Sequence, residues 1–116
     1  MKWLNWESGR QNSGYKKMLL LVNHLWIPFD FYFLKFEEGS CIPEHTDPVK
    51  LGYKHYRLNI IVKKSKSGGE FISEKNILNF SRIKFFRPDL YKHSVTTVVG
   101  GSRYVLSFGF LLKNKD

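Results

Sequence analysis

From Asp30 to Leu112 the chain is a series of short apolar runs, each closed by turn-forming residues. Three of them, "DFYFLKFEE", "YRLNIIVKK" and "RYVLSFGFLL", are rich in aromatic and β-branched side chains. Such side chains suit a pleated, half-buried surface. Between them lie "CIPEHTD", "EFISE", "NILNF", "RIKFF" and "HSVTTVV". "SKSGG" reads as a turn. Gly100-Gly101 reads as a two-residue hairpin joining "HSVTTVV" to "RYVLSFGFLL". Eight short strands on short connections are the pattern of a sandwich or jelly-roll barrel.

Upstream the pattern changes. "NSGYKKMLLLVNHLW" offers Asn12 or Ser13 as a cap, with Met18, Leu21, Val22 and Leu25 at helical spacing before Pro28. The expectation is therefore a mainly β chain with one short N-terminal helix. Residues 1–116 would form one domain, with a lead-in and helix over about 1–27 and a β core over about 29–112. Trp3 and Trp6 would pack on the outside of the barrel. A length of 116 residues at 42% hydrophobic content is enough for one real core.

The formal charge of +9 favours an anionic partner: nucleic acid, an acidic protein surface or a small polyanion. Scattered lysines serve solubility equally well. A single cysteine, Cys41, excludes an intramolecular disulfide framework and fits a reducing cytosol. "MKWLNWESGR" has no apolar run behind its charge, so no leader peptide is expected. "MLLLV" and "VLSFGFLL" are too short to span a bilayer. These features predict a cytoplasmic protein with no membrane partner.

The chemistry concentrates in "SCIPEHTDPVK". His45 and Asp47 are two apart at a strand end, so both side chains leave one face and Thr46 points away. An imidazole and a carboxylate aimed at one point are two-thirds of a 2-His-1-carboxylate triad, the donor set of non-haem Fe(II). The pair alone is weak, and a second histidine must complete it. His24 lies in the expected helix beside its apolar stripe. His55 lies in a loop-like tract. His93 opens the seventh strand, and Arg103 opens the eighth, ten positions later. In a hairpin those two would sit at opposite ends, unless Arg103 reached along the barrel interior toward a carboxylate held there.

In order, "HTD", "YRLNIIVKKSKSGGEF" and "HSVTTVVGGSRYVLSFGF" resemble the Fe(II)- and 2-oxoglutarate-dependent oxygenase superfamily, from about Asp30 to Phe110. The small, phage-encoded members of prolyl-hydroxylase type are the most similar, which would place the protein in a host cytoplasm. The resemblance implies a double-stranded β-helix, a jelly-roll or cupin-like barrel. It implies that His45, Asp47 and His93 hold Fe(II), and that Arg103 meets the far carboxylate of 2-oxoglutarate. It implies a dioxygenase that hydroxylates or oxidatively demethylates a substrate with O2, converting 2-oxoglutarate to succinate. Arg57 and Gly68-Gly69-Glu70 match the family's third strand and the turn after it. Phe36 stands where many members carry a tyrosine for the co-substrate carboxylate, and Tyr32 on the same face is the nearest substitute. Val105 stands where plant-type relatives have a serine, and Ser107 follows two later.

Other tracts have two readings each. "PVKLGYKHYR" follows the ligand pair and is placed to act as a lid, with Tyr53, His55 and Tyr56 facing substrate. "GRQNSGYKK" would bring Tyr15 across the barrel mouth, or is a simple lead-in. "KKSKSGG" reads as a solvated edge. Arg103 would alternatively pair with Glu70 or Glu74 in the barrel wall. The substrate would be a nucleic acid, a protein side chain or a small metabolite. The rival to the whole scheme is a non-catalytic basic barrel that grips nucleic acid or another anion.

Overall fold

The computed structural model describes residues 6–8, 14–23, 27–49 and 51–113. Ten strands are found among them: β1 (Trp6–Ser8), β2 (Tyr15–Asn23), β3 (Phe29–Phe36), β4 (Ile42–His45), β5 (Tyr53–Lys63), β6 (Phe71–Ser73), β7 (Leu78–Asn79), β8 (Ile83–Phe86), β9 (His93–Val95) and β10 (Arg103–Lys113). They form a seven-stranded sheet, β1-β2-β3-β10-β5-β8-β7, and a three-stranded sheet, β4-β9-β6. Every pairing is antiparallel. From β3 onward the chain passes repeatedly from one sheet to the other, and of these strands only β7 and β8 are neighbours both in sequence and in a sheet. That is the jelly-roll solution to burying short strands.

Strand β10 organises the large sheet. Along it Arg103, Val105, Ser107 and Gly109 are buried, alternating with half-exposed residues. Its register puts Phe36, Leu34, Tyr32 and Asp30 of β3 opposite those four in turn. From β5, Ile61, Asn59 and Arg57 face Val105, Ser107 and Gly109. The inner face therefore grades from apolar to polar along the strands. Tyr15, Phe36, Ile61, Val95, Val98 and Val105 make the core at one end. The other end carries Asp30, Arg57 and Ser107.

Gly109 is what lets the polar end assemble. A Cβ there would lie 2.2 Å from Nη2 of Arg57. With no side chain in the way, the guanidinium crosses β10. It donates to Asp30 Oδ1 at 2.7 Å and to Ser107 Oγ at 2.7 Å. The outer face of the same sheet takes much of the aromatic content. Phe33 stacks on Tyr104 with centroids 5.5 Å apart, and Tyr56 stacks on Phe110 at 5.4 Å. Trp6 joins this outer layer through Phe33 at 5.7 Å.

Three sequence expectations are corrected. No helix occurs among the described residues, and Tyr15–Asn23 is strand β2, paired along β3. The register shifts between Leu19 and Leu21, leaving Leu20 as an extra residue. That bulge breaks the two-residue alternation and gives the segment its helix-like spacing. Asn12, Ser13, His24, Leu25 and Trp3 lie outside the described residues. Gly100-Gly101 does not close a hairpin either: β9 belongs to the small sheet and β10 to the large one. Both glycines have positive φ, at 76° and 102°, and turn the chain across from one sheet to the other. The lid expected over 48–57 is partly strand, since β5 already begins at Tyr53. No described helix is long and apolar enough to cross a membrane.

Candidate metal centre

His45 closes β4 and His93 opens β9, and the two are partners in the small sheet. Pairing brings their rings to 4.3 Å between centroids. Asp47 lies just past the strand end. Its N–H donates to the Pro88 carbonyl at 2.8 Å, which ties the strand exit to the turn before β9. Arg87 grips Asp89 through two hydrogen bonds, 2.9 and 2.7 Å, and stiffens that turn. One ligand atom from each of His45, Asp47 and His93 falls within a 4.8 Å group.

The tautomers follow from the hydrogen bonds. Nδ1 of His45 lies 2.7 Å from the Pro43 carbonyl, and Nδ1 of His93 lies 3.1 Å from the Tyr91 carbonyl. A carbonyl only accepts, so Nδ1 carries the proton in each neutral ring. Each Nε2 is then a lone-pair donor. These face the two carboxylate oxygens, His45 to Oδ1 at 3.3 Å and His93 to Oδ2 at 3.6 Å. A cation held by nitrogen and oxygen at about 2.0–2.2 Å has ligand-to-ligand edges of about 3 Å. Two neutral imidazoles and one carboxylate, with both rings oriented by carbonyls, are a donor set suited to a divalent ion such as Fe(II).

The group opens onto a cavity of about 230 Å³ between the sheets. Four residues singled out from the sequence line it: Tyr15, Tyr32, Arg57 and Ser107. Tyr15 is buried on β2 opposite Phe36 and stacks on it at 5.0 Å. It therefore brings a phenol beside the position where Phe36 lacks one. Sequence reasoning missed Lys17, Asn59 and Asp30. Lys17 was hidden by the helix reading. Asn59 follows Arg57 by two on one strand, which is a usable same-face signal. Its Oδ1 is buried, lines the cavity and has no partner among the described residues. Asp30, the partner of Arg57, left no local signal.

The remaining candidates go elsewhere. Arg103 is buried at the far end of β10 and lines a second cavity, with Phe71 bordering both. Tyr56 joins the outer aromatic layer. Tyr53 begins β5 and does not line the metal-site cavity. His55 is on β5, not in a loop. It borders a shallow pocket with Pro48 and Val49, and its Nε2 is 3.5 Å from Arg57 Nη2.

Burial, and then the Arg57 guanidinium, hold the His55 imidazole below its ordinary 6.5. The unfolded chain takes up that proton more readily than the folded one. Stability should therefore be lost as pH falls below about 6.5, with the loss complete once pH is under the folded-state value. Denaturant unfolding of the wild type and His55→Gln at pH 7.5 and 5 tests this. The wild type should lose more stability than the variant, and an equal loss would refute the assignment.

The fold is shared with solved structures. KdgF from Halomonas sp. superposes with a TM-score of 0.59 at 15% identity, over 97% of this chain and 88% of that one. A cupin 2 conserved barrel domain protein from Rhodopseudomonas palustris gives 0.55 at 12% identity, over 95% and 70%. A chain from the Rhodobacter sphaeroides complex of SigE with the anti-sigma ChrR gives 0.55 at 16% identity over 89% of this chain. The present chain spans only 46% of that one. No protein-family model and no curated protein sequence matches. At such identities the likeness is one of fold: a mainly β, cupin-like barrel, here with a His–Asp–His group suited to a metal ion.

Proposed function

We propose that this chain is an Fe(II)- and 2-oxoglutarate-dependent dioxygenase acting on a C–H bond of its substrate. The observation that carries the reading is the convergence of His45, Asp47 and His93 at the edge of a cavity holding a fixed guanidinium. His45, Asp47 and His93 would hold the ion at the edge of the cavity. Bound there, the iron supplies the oxidising chemistry: 2-oxoglutarate and O2 yield succinate, CO2 and a hydroxylated substrate.

The chain's own residues bind and orient. The Pro43 and Tyr91 carbonyls keep both Nε2 lone pairs turned to one point. Arg57, ion-paired with Asp30 and donating to Ser107, is positioned to offer its remaining N–H groups to a carboxylate. The cavity also offers Tyr32, Tyr15 and Asn59 as hydrogen-bonding groups. Leu34, Phe36, Ile61 and Val105 line it with apolar surface and exclude water. The sequence resemblance names Arg103 as co-substrate anchor. Arg57 is the better-placed candidate because it shares the cavity of the triad.

The test is incubation of purified protein with Fe(II), ascorbate and 2-oxoglutarate, with succinate measured by mass spectrometry. Iron-dependent succinate is expected. Arg57→Met should raise the KM for 2-oxoglutarate by about tenfold or more, the effect of losing one charge-assisted contact, while metal affinity is retained. Metal binding without any succinate would overturn the dioxygenase reading and leave the metal centre standing.

A further inference from the structure

We propose that the second cavity is a binding site for a small phosphate-bearing ligand, separate from the metal centre. It lies between the turn after β5, the β7–β8 segment and the start of β10, and measures about 520 Å³. Four cations line it, Lys64, Lys66, Lys84 and Arg103, against one carboxylate, Glu70. The lining therefore carries an excess of three positive charges.

The cations are seated, not scattered. Lys64 Nζ donates to Ser81 Oγ at 2.7 Å, and Lys84 Nζ donates to Asn79 Oδ1 at 2.5 Å. Both ammonium groups are thus positioned by neutral acceptors, which fix them without spending their charge. Gly69 and Gly100 make room for the other two. A Cβ on Gly69 would lie 2.8 Å from Arg103 Cδ, and one on Gly100 would lie 2.7 Å from Lys66 Cβ. Both glycines also have positive φ, so an L side chain there meets strain as well as a clash.

Arg103 carries the argument furthest. It is only 6% exposed, yet its guanidinium makes no hydrogen bond or ion pair with any described residue. Its stem is buried and it lines the cavity, so its forked donors are available to a bound oxyanion. Crowding of like charge is visible in the neighbours. Burial, then Lys64 and Arg103, hold the Lys84 ammonium below its usual range. Burial does the same to Arg103, with Glu70 opposing it.

Phosphate suits this site better than a carboxylate. It brings about −1.5 to −2 charges and three acceptor oxygens, where a carboxylate brings one charge. A forked guanidinium and two or three ammonium groups can surround it. The ligand is small because Arg103 is too deeply buried to meet the backbone of a nucleic-acid duplex. "KKSKSGG", which reads in the sequence as a solvated edge, supplies one wall.

Calorimetric titration of the metal-free full chain with inorganic phosphate and pyrophosphate tests the proposal, with 2-oxoglutarate as the carboxylate control. Saturable binding is expected, tighter for pyrophosphate. Lys64→Ala and Lys84→Met should each weaken it by about ten- to a hundredfold. Arg103→Gln should weaken it further, and the two lysine variants keep the test decisive if that variant does not fold. His93→Ala should leave it unchanged. Three results would overturn the proposal: no saturable phosphate binding, binding indifferent to both lysine variants, or 2-oxoglutarate binding as tightly as pyrophosphate with the same dependence on Lys84. The last would make the cavity a carboxylate pocket.

Discussion

Alanine at position 93 is expected to abolish metal binding while leaving a folded barrel. His93 supplies one of three donor atoms, and its Nδ1 is already committed to the Tyr91 carbonyl. No other described histidine, cysteine or carboxylate belongs to the group. Loss of an outer hydrogen-bond partner costs about 10–100-fold in metal affinity, so loss of the ligand itself should exceed about 100-fold. The fold should survive because His93 lies at the start of a three-residue strand, and Phe71 and Phe86 remain packed on one another at 4.5 Å. A stability readout separates the two effects. An ion present at about 100 times its dissociation constant stabilises the folded state by about 2.7 kcal/mol. Thermal unfolding with and without Fe(II), or Co(II) as an air-stable probe, should show that gain in the wild type and none in His93→Ala. An undiminished metal-dependent rise in the variant would refute the proposed ligand set. The succinate formation proposed above should be absent from the variant as well.

Much of this centre was legible in the sequence, because its parts are set by local periodicity. His45 and Asp47 are two apart at a strand end, and the strand's alternation sends both to one side. His93 completes the set because the jelly roll pairs β4 with β9. What spacing could not reveal was the cavity each inward residue meets. Arg103 and Ser107 share the inner face of β10, yet Ser107 lines the metal-site cavity and Arg103 lines the other. Arg57 reaches the metal-site cavity through a non-local arrangement: Asp30, Gly109 and Arg57 sit on three neighbouring strands in register. Nothing within any one strand announces that contact. Tyr15 shows the same limit from another side. The Leu20 bulge disguised β2 as a helix, so its inward alternation, and with it the phenol stacked on Phe36, could not be read locally.

The second large effect is expected from Phe86→Ala. Phe86 is 1% exposed and among the largest fully buried side chains described. It stands at the end of β8 opposite Arg57, against Phe71 at 4.5 Å and His93 at 5.2 Å between centroids. The ring thus packs one sheet on the other and forms a shelf for the His93 imidazole. Truncating a buried phenylalanine to alanine costs about 3–5 kcal/mol, the lost transfer energy plus the cavity left behind. For a chain of this size that is a fall in Tm on the order of 10–20 °C. Phe86→Leu retains most of the volume and should lose about half as much or less. Both variants can be compared at low temperature, where they remain folded. There the alanine variant should also bind metal about tenfold more weakly, because His93 keeps its hydrogen bond to Tyr91 but loses the ring that fixes its tilt. A loss below about 1 kcal/mol would mean that the two sheets are not held together at this point. Full metal affinity despite the expected destabilisation would mean that the Tyr91 carbonyl alone orients the ligand, and that the shelf contributes only to the core.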